Sequence, residues 1–134
     1  MSKKASLIIM FIILGTLLIF HFLILTQQIP YDKVWAGKIN SVEEMKTFET
    51  FSIGLNVFML IILILKYNLI VNRKRNKLID IFIWGFSAFF VLNTIGNLFA
   101  ESILEQVLGT TITAVSAILC FNIARKEKEK QFVN

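Results

Sequence analysis

One cysteine and one proline are all that 134 residues contain of either, and there is a single histidine. Each scarcity removes a class of function. Cys120 alone excludes an intrachain disulfide, a CxxC redox pair and a metal site built on several thiolates. Its place in an apolar run marks it as an inert packing residue. His21 alone excludes a His-rich metal site and bis-histidine haem ligation within one chain. No GxSxG, HExxH or Walker loop occurs. There is no convincing internal repeat and no low-complexity tract. Because no nucleophile–base constellation can be assembled, the reading leans away from an enzyme, a membrane-embedded one standing third among the alternatives, and assigns no catalytic residue, no metal and no cofactor.

What the chain does hold is apolar runs. It is 56% hydrophobic, with a mean hydropathy of +0.71, where a soluble domain sits nearer roughly 45–50% apolar. The net charge is +5, yet the basic residues flank the apolar runs and do not interleave with aromatics. Nucleic acid is therefore not an expected partner; the lipid bilayer is.

The reading is an all-α fold, a four-helix transmembrane bundle in one integral membrane domain covering 1–134. Its spans lie at about 5–26, 48–71, 78–100 and 107–124, each long enough to cross at ~1.5 Å per residue. A signal peptide would have a shorter apolar region and a small-residue cleavage motif, so the first run reads as a retained helix. Pro30 marks the break after it. Between the first two spans lies a short structured extracytoplasmic loop in which Tyr31 and Trp35 suit the headgroup region. Ser41 with Glu44 forms a capping box and predicts a helix starting near Val42 that continues into the second span. Lys66, near the far end of that span, is expected to snorkel toward water. Asn76 is placed to cap the third span. In the fourth, Gly109, Thr113 and Ala117 recur at the spacing that lets helices approach closely. The charged tail from Ala124 reads as a frayed helical end.

Orientation follows from counting. Eleven of the fourteen basic residues, among them Lys3, Lys4, Arg73, Lys74, Arg75 and Lys77, fall on one side, and only Lys33, Lys38 and Lys46 on the other. The positive-inside rule then puts both termini in the cytoplasm.

The third span organises the rest. Asn93, Asn97, Glu101 and Glu105 follow one another at a spacing of four, which places them on one helix face. Asn at membrane depth is costly without a partner, so that face should point at other helices. His21, Ser52, Asn56 and Thr113 fall at a similar depth, giving a polar layer in the outer half above an inner half of Ile, Leu, Phe and Val. Two readings stand side by side. The layer can be interhelical hydrogen bonding that holds the bundle together, in a non-enzymatic accessory or oligomeric membrane component with a homo-oligomeric or membrane-protein partner. The alternative is that it lines a cavity for a small ligand or carried substrate, with His21, Ser52, Asn56, Asn93, Asn97 and Thr113 as lining and Glu49 or Glu101 at the mouth. His21 has Glu49 or Glu101 as potential partners in a proton-responsive couple; the alternative is an interfacial imidazole. Glu101 and Glu105 read as a solvated loop edge rather than a catalytic pair.

Vitamin-K-reductase-like four-helix redox enzymes use cysteine pairs, which this chain lacks. Small multidrug-resistance pumps share its size and span count but carry a glutamate inside the first span, where this chain has only His21. The segments VWAGKI, EEMKTFE and NTIGNLFAESILE together resemble small uncharacterised four-span proteins of bacteria. In that group a tryptophan–glycine motif follows the first helix, here Trp35 and Gly37, and an Asn/Gly-rich segment ends the third, here Asn93, Gly96 and Asn97. The resemblance implies the four-helix fold and a bacterial inner membrane, and no activity.

Overall fold

The computed structural model describes residues 1–34 and 38–126. The expectations for Trp35 and for the tail beyond Lys126 lie outside the described residues. Among the described residues every regular element is helical: α1 (Lys3–Leu25), a single turn α2 (Tyr31–Val34), α3 (Val42–Val71), α4 (Lys77–Leu98) and α5 (Thr110–Ala124). A π-helical turn, Glu105–Gly109, leads into α5. Four helices, the last counted from Glu105, are long and apolar enough to cross a membrane.

The helix starts follow their caps. Ser41 Oγ accepts from the Glu44 N–H at 3.1 Å, so α3 begins at Val42 as this cap predicts, while Glu44 Oε2 accepts from the Asn40 N–H at 2.9 Å, one residue before the N–H that a capping box uses. Asn76 Oδ1 accepts from the Leu78 N–H at 2.9 Å and starts α4. Arg73, at φ 54°, ends α3 in the left-handed region. The Lys74 and Arg73 N–H groups then return to the carbonyls of Leu69 and Ile70, the Schellman arrangement that usually employs glycine.

Consecutive long helices run antiparallel, and the four close into a ring: α1 beside α3, α3 beside α4, α4 beside α5, α5 beside α1. The closest associations are α1 with α3 and α4 with α5, so the bundle is two helix pairs. One end holds the start of α1, the end of α5 and the 72–76 turn; it is called the terminal end below. The other, with the 26–41 and 99–104 connections, is the loop end. Nearly all of the main core sits toward the terminal end: Leu7, Met10, Leu14, Leu63, Ile83 and Cys120 are almost fully enclosed there. Between α4 and α5 the small-residue ridge packs closely. Ser87 Oγ donates to the Ala117 carbonyl at 2.9 Å, Thr94 Oγ1 donates to Thr113 Oγ1 at 2.9 Å, and a Cβ on Gly109 would stand 2.9 Å from Asn97 Nδ2.

The terminal half is more polar than its sequence implies. Lys66 does not snorkel. It is buried, and its Nζ lies 2.5 Å from Asp80 Oδ1 across the α3–α4 seam. The reason is the tight turn between them, which brings the last turns of α3 against the first turn of α4. Arg75 adds a second cation 3.8 Å from the same carboxylate. On the opposite seam Asn122 Nδ2 donates to Ser6 Oγ at 2.7 Å and to the Met1 carbonyl at 3.1 Å, and Lys3 Nζ donates to the Arg125 carbonyl. Both seams between the helix pairs are thus tied by polar contacts at this end.

A buried ion pair is costly to break from one side because the remaining charge stays desolvated. Lys66→Met should lower unfolding stability in detergent by about 3–5 kcal/mol, whereas Lys66→Met with Asp80→Leu should cost much less. The comparison is a double-mutant cycle read by thermal denaturation.

Candidate functional site

At the loop end the two helix pairs stand apart and enclose a cavity of about 700 Å³, within the roughly 300–1,000 Å³ range of small-molecule sites. All four long helices contribute. α1 gives Leu17, Phe20 and His21, α3 gives Glu49, Ser52, Leu55 and Asn56, and α4 gives Phe90, Asn93, Gly96 and Asn97. Glu105, Gly109 and Thr113 come from the last segment, and Val34 and Lys38 of the 26–41 connection close the top. Ser102 Oγ donates to the Lys33 carbonyl at 2.8 Å and fastens that connection to the 99–104 segment.

Seven of the eight positions singled out from sequence line this one cavity: His21, Glu49, Ser52, Asn56, Asn93, Asn97 and Thr113. Glu101 does not. The four-residue spacing from Asn93 fails to carry through because α4 ends at Leu98, where Gln106 Nε2 donates to the terminal carbonyl at 3.0 Å. Glu101 stands exposed in the connection, and Glu105 supplies the carboxylate at the mouth. Of the neighbouring threonines, Thr111 turns outward and donates to the Val107 carbonyl at 2.7 Å.

His21 takes Glu49 as its partner. Nδ1 and Oε2 are 2.7 Å apart, and the glutamate is fully buried. The fold makes this pairing because α1 rises and α3 descends side by side, bringing the last turns of one against the first turns of the other. Phe20 stands edge-on to the imidazole, with ring centroids 6.2 Å apart. Nearby, Ile24, Val34, Ile39 and Met45 form a small apolar cluster beneath the connection, so the pair sits in largely apolar surroundings. Glu105 Oε2 lies 3.5 Å from Lys38 Nζ.

The remaining polar groups divide sharply. Asn93 Nδ2 donates to the Phe89 carbonyl of its own helix at 2.9 Å, and Thr113 donates to the Gly109 carbonyl at 2.7 Å. Asn56 is only 5% exposed, and its Oδ1 has no hydrogen-bond partner among the described residues. Glu105 Oε2 is also buried without a hydrogen bond, although ion-paired. An unmet buried acceptor costs about 1–3 kcal/mol, and two of them, enclosed by protein, belong to residues that line this cavity. Sequence reading found Asn56 from its depth. It missed Thr94, which joins Thr113, and Lys38, whose approach depends on how the connection folds back. Among the described residues no cluster of His, Cys, Asp and Glu is placed to hold a metal ion.

Compared with family models, curated proteins and solved structures, the chain gives no match. Function is therefore read from the geometry.

If Asn56 were structural glue, removing its amide would weaken the bundle. Its unmet oxygen reverses the sign. Asn56→Leu should raise thermal stability in the absence of ligand, by about 1–3 kcal/mol, and unfolding in detergent measures the difference.

Proposed function

We propose that this chain is a non-enzymatic integral membrane protein that binds a small ligand in the loop-end cavity, as a carrier or binding protein. It crosses a bacterial inner membrane four times, with both termini and the 72–76 turn in the cytoplasm and the cavity in the outer half of the bilayer. The membrane reading is supported by four long helices that are apolar on nearly every side, a pattern that buried or lipid-facing helices share. The orientation is supported by the one-sided distribution of Lys and Arg.

One observation carries the ligand reading: a cavity of ligand size receives polar side chains from all four membrane-length helices, His21, Ser52, Asn56, Asn97 and Thr113 among them. Interhelical hydrogen bonds in membrane proteins contribute about 0.6 kcal/mol on average, and a purely structural layer would have used this amide. The Asn56 amide instead makes no hydrogen bond among the described residues.

A second reading, an accessory or oligomeric membrane component, is supported by the large apolar side chains that stay exposed along α4, Leu92, Ile95 and Leu98 among them, a face that a partner helix would cover as well as lipid does. Asn97→Leu separates the two. Under the ligand reading it should abolish ligand-induced thermal stabilisation while the protein still inserts and stays folded in detergent. A fall in stability with no other defect supports the structural reading.

Topology has its own test. In a Cys120→Ala background, a cysteine replacing Ser41 should label from the periplasmic side and one replacing Lys74 only after the membrane is permeabilised. The opposite pattern reverses the orientation.

A further inference from the structure

Resting on the membrane reading above and not on the loop-end cavity, we infer that the turn between α3 and α4 carries a groove for one anionic phospholipid. Lys74 and asparagine amides hold the phosphate, and an acyl chain lies along the outer face of α3. The groove, of about 220 Å³, is at the terminal end of the bundle. Leu65, Asn68, Leu69 and Asn72 line it from α3, and their spacing places them on one helix face. From Leu65 to Asn72 is about 10 Å at helical rise, so this face runs from the apolar span to its surface. Toward the span the lining is apolar, with Leu65, Leu69 and Ile79; toward the turn it is polar, with Asn72, Lys74 and Asn76.

The backbone sets the polar part. Arg73 at φ 54° reverses the chain, and the Lys74 N–H donates to the Leu69 carbonyl at 2.8 Å. Lys74 is thereby folded back beside the last turns of α3. Asn76 commits its Oδ1 to the Leu78 and Ile79 N–H groups, which leaves its Nδ2 as a donor. Asn72 Nδ2 donates to the Asn68 carbonyl at 2.8 Å. The Asn68 side chain is exposed and makes no hydrogen bond among the described residues. An amide facing outward at the edge of a span needs a polar partner, which a lipid headgroup supplies.

Charge decides the sign of that headgroup. Asp80 is the only carboxylate at this end among the described residues, and it already meets Lys66 at 2.5 Å and Arg75 at 3.8 Å. Arg73, Lys74 and Lys77 are exposed and form no ion pair among the described residues. Wherever the proton of the Lys66–Asp80 pair resides, the turn stays positive. A free phosphate would meet Lys74 and the amides but leave the apolar half uncovered. Phosphatidylcholine would cover that half but bring a cation to a basic turn. A lipid whose phosphate has no cation of its own suits both halves. The groove is smaller than the roughly 300–1,000 Å³ that encloses a whole small molecule, so it takes the head and the start of a chain, the rest lying in the bilayer.

Native mass spectrometry of the delipidated full chain in detergent, titrated with phosphatidylglycerol or phosphatidylcholine, counts the lipids bound. One phosphatidylglycerol should bind at least about five times more tightly than phosphatidylcholine, the factor that one basic side chain contributes near a charged surface. Lys74→Gln should remove about that factor for phosphatidylglycerol and leave phosphatidylcholine unchanged. The turn uses the backbone of Lys74, so this variant should keep the wild-type unfolding midpoint. Lys4→Gln removes a charge at the same end but outside the groove, and should change the affinity by less than about twofold. Equal affinity for the two lipids overturns the inference. So do equal losses from the two variants, since attraction would then belong to the basic end at large. Displacement of the lipid by an equal concentration of glycerol 3-phosphate overturns the lipid as occupant in favour of a soluble phosphate. A chain that sodium carbonate extracts from membranes overturns the membrane reading and the inference together, whereas an integrated chain without lipid preference overturns the inference alone.

Discussion

Two helix pairs are held together at one end and kept apart at the other, and the buried contact between Lys66 and Asp80 is central to that asymmetry. It lies in the seam between the pairs, beside the turn that joins α3 to α4. The opposite seam is closed at the same level by Asn122, Ser6 and Lys3. The apolar core fills the space between. At the loop end the pairs are joined through their connections, by Ser102 with Lys33 and Lys38 with Glu105, while His21–Glu49 and Thr94–Thr113 each act within a pair. The cavity is what remains between helices fastened at one end and bridged only by their loops at the other among the described residues.

This division explains why similar side chains have different duties along the bundle. At the terminal end polar groups find one another: Lys66 with Asp80, Ser87 with Ala117, Asn122 with Ser6. At the loop end, among the described residues, Asn56 finds no hydrogen-bond partner and Glu105 has a long ion pair. A bundle selected for stability alone would replace such groups with apolar ones of similar shape, at no loss and some gain.

The architecture was largely legible in the sequence because its signals are local. Long apolar runs, the Ser41–Glu44 capping box, Asn76 before α4 and the small-residue ridge each depend on residues within a turn or two of one another. The gathering of His21, Ser52, Asn56, Asn93, Asn97 and Thr113 was legible from depth alone, since helical rise converts residue number into height. What was not legible depended on chain reversals. Lys66 looked like a helix-end lysine because its partner lies beyond a turn whose tightness no residue of the pair encodes. Glu101 looked like a continuation of the Asn93–Asn97 face because no glycine or proline announces the end of α4 at Leu98. Lys38 could be assigned a side of the membrane but not a partner, since the fold of the 26–41 connection decides what it meets.

The wide turn at Glu105–Gly109 has one further consequence. Hydrogen bonds there reach five residues back rather than four, so the turn holds one residue more than an ordinary coil of the helix. Shortening it by a single residue would restore regular winding and carry Glu105 about 100° around the axis, away from Lys38. The acid at the rim thus owes its bearing to a surplus residue in the backbone, and in such a segment an insertion or deletion has more effect on the site than most side-chain replacements.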